Sequence, residues 1–309
     1  MAPVELKAAG DVESLINDVD TFIFDCDGVL WLFGGDAIPG AVEVMRALRL
    51  ADKKVLFVTN NASKSRRQLM EKFLALGIEA KPSEVYGSAY AAAAYLSSRP
   101  GGFSKKVFVV GMEGVEEELD NVGIEWIGGV KHKPLGTYAA DTSVELDQSV
   151  GAVVAGFDYN FTWTKCAHAC FYLNELGAEF VATNQDASGP IANGRRSPGG
   201  GTVVAAIEKG SGKAPVVVGK PSQFLMDHIV EEHGVDRSRA VMVGDSFATD
   251  MEFGRAGGLK TLLVMSGVAD RAGLQAAVEA GKAPTYVAES LGALAVGLKG
   301  AEGPGCTIS

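Results

Sequence analysis

The residues of this chain that can do chemistry stand where apolar runs stop. The run Thr21-Phe22-Ile23-Phe24 ends in Asp25-Cys26-Asp27-Gly28. Two carboxylates separated by one residue at the end of a buried strand cannot both stay charged without a cation or protein donors beside them. The pattern reads as a metal and nucleophile arrangement, against the plainer reading of two acids that cap a turn. The run that starts at Lys54 ends in Thr59-Asn60-Asn61, which offers a hydroxyl, two carboxamides and open backbone N–H groups ahead of a helix. That makes either an anion site or an Asx turn with an N-cap. Lys220, in Gly219-Lys220-Pro221, closes a run that is otherwise apolar, and an ammonium there needs an anionic partner unless it snorkels to the surface. A further run ends in Gly244-Asp245 and carries a second acid, Asp250, one helical turn on. Capping alone would account for Asp245 as well. The four in this order say more than any one of them.

The elements that must bring these residues together are legible in outline. The runs 21–25, 54–61, 106–111, 151–158, 178–184, 214–220, 239–245 and 259–265 are short and near-continuously apolar, as buried parallel strands are. Helix-period segments occupy 40–52, 64–77, 88–98, 113–122, 164–176, 200–210, 222–234, 249–257, 270–280 and 290–299. Strands alternating with helices give βαβ units, so the fold class is α/β, a Rossmann-like doubly wound parallel sheet with its site at the strands' carboxyl ends. Asp25, Thr59, Lys220 and Asp245 all occupy that position. Gly/Ser/Pro-rich stretches at 97–104 and 209–215 read as hinges that bracket an α/β block of its own.

Composition narrows the partners. A chain of 309 residues with 47% apolar and 21% charged residues is a soluble globular protein of two domains, or one with a large insert. Its 28 Lys and Arg against 38 Asp and Glu leave a formal charge of −10, which gives no basic face for nucleic acid or anionic lipid. An anionic substrate therefore needs a local positive site. No apolar run has the roughly 18 residues of a membrane span, and the opening residues lack the features of a signal or transit peptide, so a cytoplasmic protein is expected. Cys26, Cys166, Cys170 and Cys306 read as thiols of a reducing compartment. Cys166-Ala-His168-Ala-Cys170 is not a metal site, because on a helix the two cysteines share a face from which His168 points away.

The set Asp25-x-Asp27-Gly28, Thr59, Lys220 and Gly244-Asp245-xxxx-Asp250 resembles the four motifs of the haloacid dehalogenase superfamily. DCDGVLW, IPGA, VTNNASKSR, PGGGTVVAAIE, VVVGKPS and GGLKTLLVMSGV resemble the branch that holds phosphoglycolate, pyridoxal and 4-nitrophenyl phosphatases. The resemblance implies a Mg²⁺-dependent hydrolase of small phosphomonoesters, in which Asp25 is the nucleophile and Asp27 the general acid and base. It implies a metal held by Asp25, Asp245 and the backbone carbonyl of Asp27, supported by Asp250. Thr59, Asn60, Asn61 and Lys220 are then substrate-binding. The presence of an acid at Asp27 favours phosphoryl over dehalogenase chemistry. The 161 positions between Thr59 and Lys220 leave room for an α/β cap, expected at 104–213, with the catalytic core at 1–103 and 214–309. Relatives with such caps often dimerise through them, so a homodimer is expected.

Some positions depart from that pattern. Ser246 and Ala248 stand where the branch carries an Arg and an acid, which raises the alternative of a weakened member acting as a binding or regulatory protein. A protein phosphatase is a further alternative, disfavoured by the cap. Gly189 stands where pyridoxal-specific members have a histidine, so 2-phosphoglycolate is the expected substrate, with aryl phosphates accepted. Arg195 and Arg196 are candidates for a substrate carboxylate or for solvated loop charges. The terminal Cys306-Thr307-Ile308-Ser309 fits a prenylation motif or is a coincidental tail.

Overall fold

The apolar runs fold into two parallel sheets. The structure, a computed structural model, describes residues 2–32, 35–131, 145–191 and 195–298. The motif at Cys306 lies outside the described residues. The strands are β1 (Val4–Glu5), β2 (Thr21–Phe24), β3 (Lys54–Thr59), β4 (Val85–Gly87), β5 (Lys106–Val110), β6 (Trp126–Gly128), β7 (Val150–Ala155) and β8 (Glu179–Ala182). They continue with β9 (Ser188–Pro190), β10 (Arg196–Pro198), β11 (Val216–Val217), β12 (Ala240–Gly244), β13 (Lys260–Val264) and β14 (Tyr286–Ala288). Seven form the larger sheet in the order β1-β14-β13-β12-β2-β3-β4, and five form the smaller in the order β11-β8-β7-β5-β6. Every pairing in both is parallel, and among the named strands of the described residues the β9–β10 ribbon is antiparallel. The neighbours β12, β2 and β3, in the middle of the larger sheet, carry Asp245, Asp25 and Thr59 at their carboxyl ends.

Period-two alternation assigns the side chains of these strands to two layers. Phe22, Phe24, Val55, Phe57, Val241 and Val243 enter one cluster, with α1 (Ala9–Asp18), α2 (Ala41–Leu50) and α3 (Arg66–Ala75). Ile23, Leu56, Val58, Ala240 and Met242 face the other way, toward α4 (Ser88–Ser97). The same cluster takes in Val107, Val109, Ala152, Val154 and Val181 of the smaller sheet, so α4 lies in apolar contact with both. Its sequence, SAYAAAAYLS, suits that place: Ala89, Ala91, Ala92 and Ala93 are buried, and their small side chains let elements approach on more than one side. Full burial of a side chain such as Leu56 stabilises the fold by about 1.5–3 kcal/mol. The far face of the smaller sheet packs on α6 (Trp163–Glu175) and α7 (Gly200–Ser211).

Three local outcomes differ from the sequence reading. The run at 214–220 pairs through Val216 and Val217 with Val181 and Ala182 of the smaller sheet. It forms only a two-residue edge strand there, and its apolar character reflects the burial of Val218 in the cluster shared by both sheets. The segment 249–257 begins as a π-helical turn, Phe247–Met251, and only then becomes α9 (Glu252–Ala256). Helix α1 had no sequence signal strong enough to mark it, because Ala8 supplies no side-chain cap and the helix buries only Val12, Leu15 and Ile16.

Candidate active site

A buried ammonium organises the site. Lys220 Nζ donates to Asp25 Oδ1 at 2.7 Å and to Asp250 Oδ1 at 2.7 Å. Lys220 is 2% exposed, which removes the snorkelling alternative. Asp250 returns to this point because the π-helical turn after Ser246 folds it back. Its Oδ2 accepts from the backbone N–H groups of Asp245 and Ser246, both at 3.1 Å. Asp245 in turn accepts at Oδ2 from the Val268 N–H at 2.7 Å. Two glycines make room: a Cβ at Gly244 would lie 2.2 Å from Asp250, and Gly28, at φ +84°, would place one 2.4 Å from Asp245 Oδ2.

Charge in this cluster does not balance. Carboxylate oxygens of Asp25, Asp245 and Asp250 lie within 4.8 Å of one another, against the single ammonium. Burial, then repulsion from Asp250 and Asp245, pushes the Asp25 carboxyl well above the usual range in spite of Lys220. Burial and Asp250 push Asp245 up to about 7. Burial works against the Lys220 ammonium, but Asp25 and Asp250 together hold its pKa above the usual lysine range. Such a cluster is short of positive charge, and its hard oxygen donors suit a divalent cation such as magnesium.

Asn60 ties the loop after β3 to Lys220 across 160 positions. Its Oδ1 accepts from the Lys220 N–H at 2.8 Å, and its Nδ2 donates to the Lys220 carbonyl at 3.1 Å. Thr59 is buried, and its Oγ1 accepts from the Asn61 N–H at 3.1 Å. The Asn61 side chain turns away into an Asx turn, accepting from Ser63 N at 3.0 Å and Ser63 Oγ at 2.7 Å. A capping box follows: Ser65 Oγ accepts from Gln68 N at 3.2 Å, and Gln68 Oε1 accepts from Ser65 N at 2.9 Å, so α3 starts just beyond the loop.

The second acid of the first motif stands apart from this cluster. Asp27 Oδ1 accepts from Trp31 Nε1 at 2.8 Å, and Lys72 Nζ lies 3.9 Å from the same oxygen. Lys72 also sits 4.2 Å from the centre of the Trp31 ring, and burial lowers its pKa while Asp27 opposes that shift. From the smaller sheet's side, Asp186 reaches Asn60 Nδ2 at 3.2 Å through Oδ2, and burial raises its pKa. Asn184 Nδ2 donates to the Asn60 carbonyl at 2.8 Å. Lys72 was not singled out from the sequence; Trp31 ends the stretch DCDGVLW and Asp186 lies in the stretch 183–190, which resembles the family's substrate loop, but neither was given a role. Trp31 lies four residues from Asp27 and had a local signal, whereas only the tertiary fold delivers Lys72 and Asp186. Arg195 and Arg196 are both exposed, and Arg196 donates to Ser188 Oγ at 3.0 Å and to the Ser188 carbonyl at 3.2 Å. Ser246 Oγ caps the turn by accepting from Thr249 N at 3.4 Å, and the Asp245–Asp250 arrangement stays intact around it.

Comparison with known proteins agrees with this geometry. A family model described as haloacid dehalogenase-like hydrolase matches residues 22–125, and a second, HAD-hydrolase-like, matches residues 217–294. Phosphoglycolate phosphatase 1A, chloroplastic, of Arabidopsis thaliana is 42% identical over 276 residues, covering 87% of this chain and 74% of the relative. Glycerol-3-phosphate phosphatase of Homo sapiens is 42% identical over 269 residues, with 84% and 83% covered. The 4-nitrophenylphosphatase of Schizosaccharomyces pombe is 38% identical over 297 residues, with 94% and 98% covered. Among solved structures, a glycerol phosphate phosphatase from Mycobacterium tuberculosis in complex with magnesium superposes with a TM-score of 0.73 at 31% identity, covering 91% of this chain and 78% of its own.

Proposed function

The chain belongs to the haloacid dehalogenase-like hydrolase family, and we propose that this phosphatase is a Mg²⁺-dependent small-molecule phosphomonoester hydrolase that works through an aspartyl-phosphate. The observation that carries the reading is the Lys220 ammonium between Asp25 and Asp250, in one buried cluster with Asp245. The best candidate substrate is 2-phosphoglycolate, with 4-nitrophenyl phosphate accepted, in line with the names of two relatives. In this reading residues 1–103 and 214–309 form the catalytic core and 104–213 the cap, with Val216–Val217 lending its hydrogen bonds to the cap's sheet.

With Oδ1 held by Lys220, Oδ2 of Asp25 attacks phosphorus in line and displaces the leaving alcohol. Asp27 gives that alcohol a proton and later takes one from the water that hydrolyses the intermediate. The Thr59 hydroxyl, the N–H groups of the Asn60-Asn61 loop and the Lys220 ammonium bind the phosphoryl oxygens, on which charge spreads in the transition state. Asp25, Asp245 and the Asp27 carbonyl would hold Mg²⁺, with Asp250 orienting Lys220 and the Asp245 backbone. Bound there, the ion offsets the repulsion between the Asp25 carboxylate and the phosphate dianion. Since Ser246 and Ala248 leave this set intact, catalysis is favoured over the binding-protein alternative.

Among the described residues no helix is long and apolar enough to cross a membrane. A cytoplasmic setting belongs to the same reading, supported by the free thiols of Cys26, Cys166 and Cys170. So does a homodimer through the cap, supported by Tyr159 and Trp163, which are 77% and 72% exposed, and readable by sedimentation equilibrium. A panel of phosphomonoesters assayed in Mg²⁺ and in EDTA tests the function. Hydrolysis of 2-phosphoglycolate and 4-nitrophenyl phosphate in Mg²⁺ and its loss in EDTA are expected. An inert protein on every small ester in Mg²⁺ would return the chain to the binding-protein alternative.

A further inference from the structure

The acid assigned to the leaving group has two neighbours, Trp31 and Lys72, to which the sequence reading gave no role. Trp31 Nε1 donates to Asp27 Oδ1 at 2.8 Å, and Lys72 Nζ stands 3.9 Å from that oxygen. The two are themselves stacked, with the ammonium 4.2 Å from the centre of the indole ring. Trp31 is 1% exposed and is fixed edge-on against Phe73, with 5.1 Å between ring centroids. Phe73 follows Lys72 on α3, so one helix sets both contacts.

An indole N–H and an ammonium are donors with no acceptor. Oδ1 of Asp27 therefore accepts from the indole N–H, with the ammonium's charge on the same side, and Oδ2 is the oxygen left to exchange a proton. We propose that Trp31 and Lys72 are positioning residues for proton transfer, which pin Oδ1 of Asp27 so that Oδ2–H meets the leaving oxygen. The proposal rests on the phosphatase reading and deepens it. In the first half-reaction the bond from Asp25 to phosphorus forms, the P–O bond to the leaving group breaks, and the Oδ2 proton passes to that oxygen. In the second, water attacks phosphorus, its proton goes to Oδ2, and the bond to Asp25 breaks.

In the first half-reaction, which kcat/KM reads, the device matters only where the leaving group needs a proton; the hydrolytic step is common to all esters. A 4-nitrophenolate departs without one, whereas an alkoxide does not. The substrate class it points to is thus the alkyl phosphates, with aryl phosphates tolerated.

The test compares leaving groups. Trp31→Phe keeps a ring against Phe73 and removes the N–H; Lys72→Met keeps the stem and removes the charge; Lys72→Arg keeps the charge. General acid catalysis is worth about 10²–10⁴ in rate, and loss of orientation forfeits part of it. For 2-phosphoglycolate, kcat/KM is expected to fall about 10- to 100-fold in Trp31→Phe and Lys72→Met, while 4-nitrophenyl phosphate changes by less than about threefold. Lys72→Arg is expected to restore most of the difference. Equal losses on both esters in an active enzyme, or no loss on either, would overturn the proposal alone. A wild type that hydrolyses neither ester would overturn the phosphatase reading, and the proposal with it.

Discussion

Asp25 and Asp27 are two positions apart and live in opposite surroundings. Asp25 is 8% exposed, bonded to a buried ammonium and crowded by two further carboxylates. The Asp27 side chain is 26% exposed and rests on an indole N–H at the rim, with a half-buried lysine beyond it. In the proposed reaction the difference separates two demands. A nucleophile has to be aimed and kept anionic, and because burial and the neighbouring carboxylates push Asp25 up, that needs the Lys220 ammonium together with a bound cation. An acid and base has to exchange protons with solvent and alcohol, which requires access. The motif supplies two identical side chains, and their neighbours assign the roles.

Breaking the buried half is expected to have the largest effect. Lys220→Met leaves Asp25 and Asp250 buried without their cation, and removing one partner of such a group costs about 3–5 kcal/mol. Urea unfolding without divalent metal would read the loss, and added Mg²⁺ is expected to recover part of it by restoring positive charge. A variant as stable as the wild type in the absence of metal would show that Lys220 does not hold the cluster together. A smaller effect is expected where the loop after β8 meets Asn60. Asp186→Ala removes one acceptor from Asn60 Nδ2, which keeps its bond to the Lys220 carbonyl. A lost hydrogen bond of this kind is worth about 1 kcal/mol, or about fivefold in KM with kcat little changed. A fall in kcat at constant KM would mean that Asp186 acts on the chemistry instead of on substrate binding.

The sequence made most of the site's frame legible because its physics is local. Asp25, Thr59 and Asp245 end or follow strands whose apolar runs are unmistakable, and parallel pairing of β2, β3 and β12 brings those ends together. Lys220 was legible as a misplaced charge, but its strand was not: Val216–Val217 pairs at the edge of the smaller sheet, a choice that depends on tertiary packing. Asp250 looked like a remote support, and only the π-helical turn at Phe247–Met251 shows how it reaches Lys220 and two backbone N–H groups. Lys72 sits in an ordinary polar context of a helix, and no spacing rule connects it to the motifs; Asp186 lies in a stretch that resembles the substrate loop, but its contact with Asn60 depends on the tertiary fold. Asn61, a candidate substrate ligand by sequence, has its Oδ1 engaged by Ser63 N and Oγ, a local contact the sequence reading allowed as an Asx turn.

The central claim is that Asp25 carries the phosphoryl group, and chemical trapping reads it directly. Enzyme mixed briefly with substrate and Mg²⁺ is quenched in acid and treated with borohydride, which reduces an acyl phosphate but leaves a free carboxylate. The expected result is a substrate-dependent homoserine at position 25 in the peptide mass spectrum, absent when substrate is omitted and absent in Asp25→Asn, which is also expected to be inactive. Turnover with Asp25 unmodified and the reduced residue at another position, or undiminished turnover by Asp25→Asn, would contradict it.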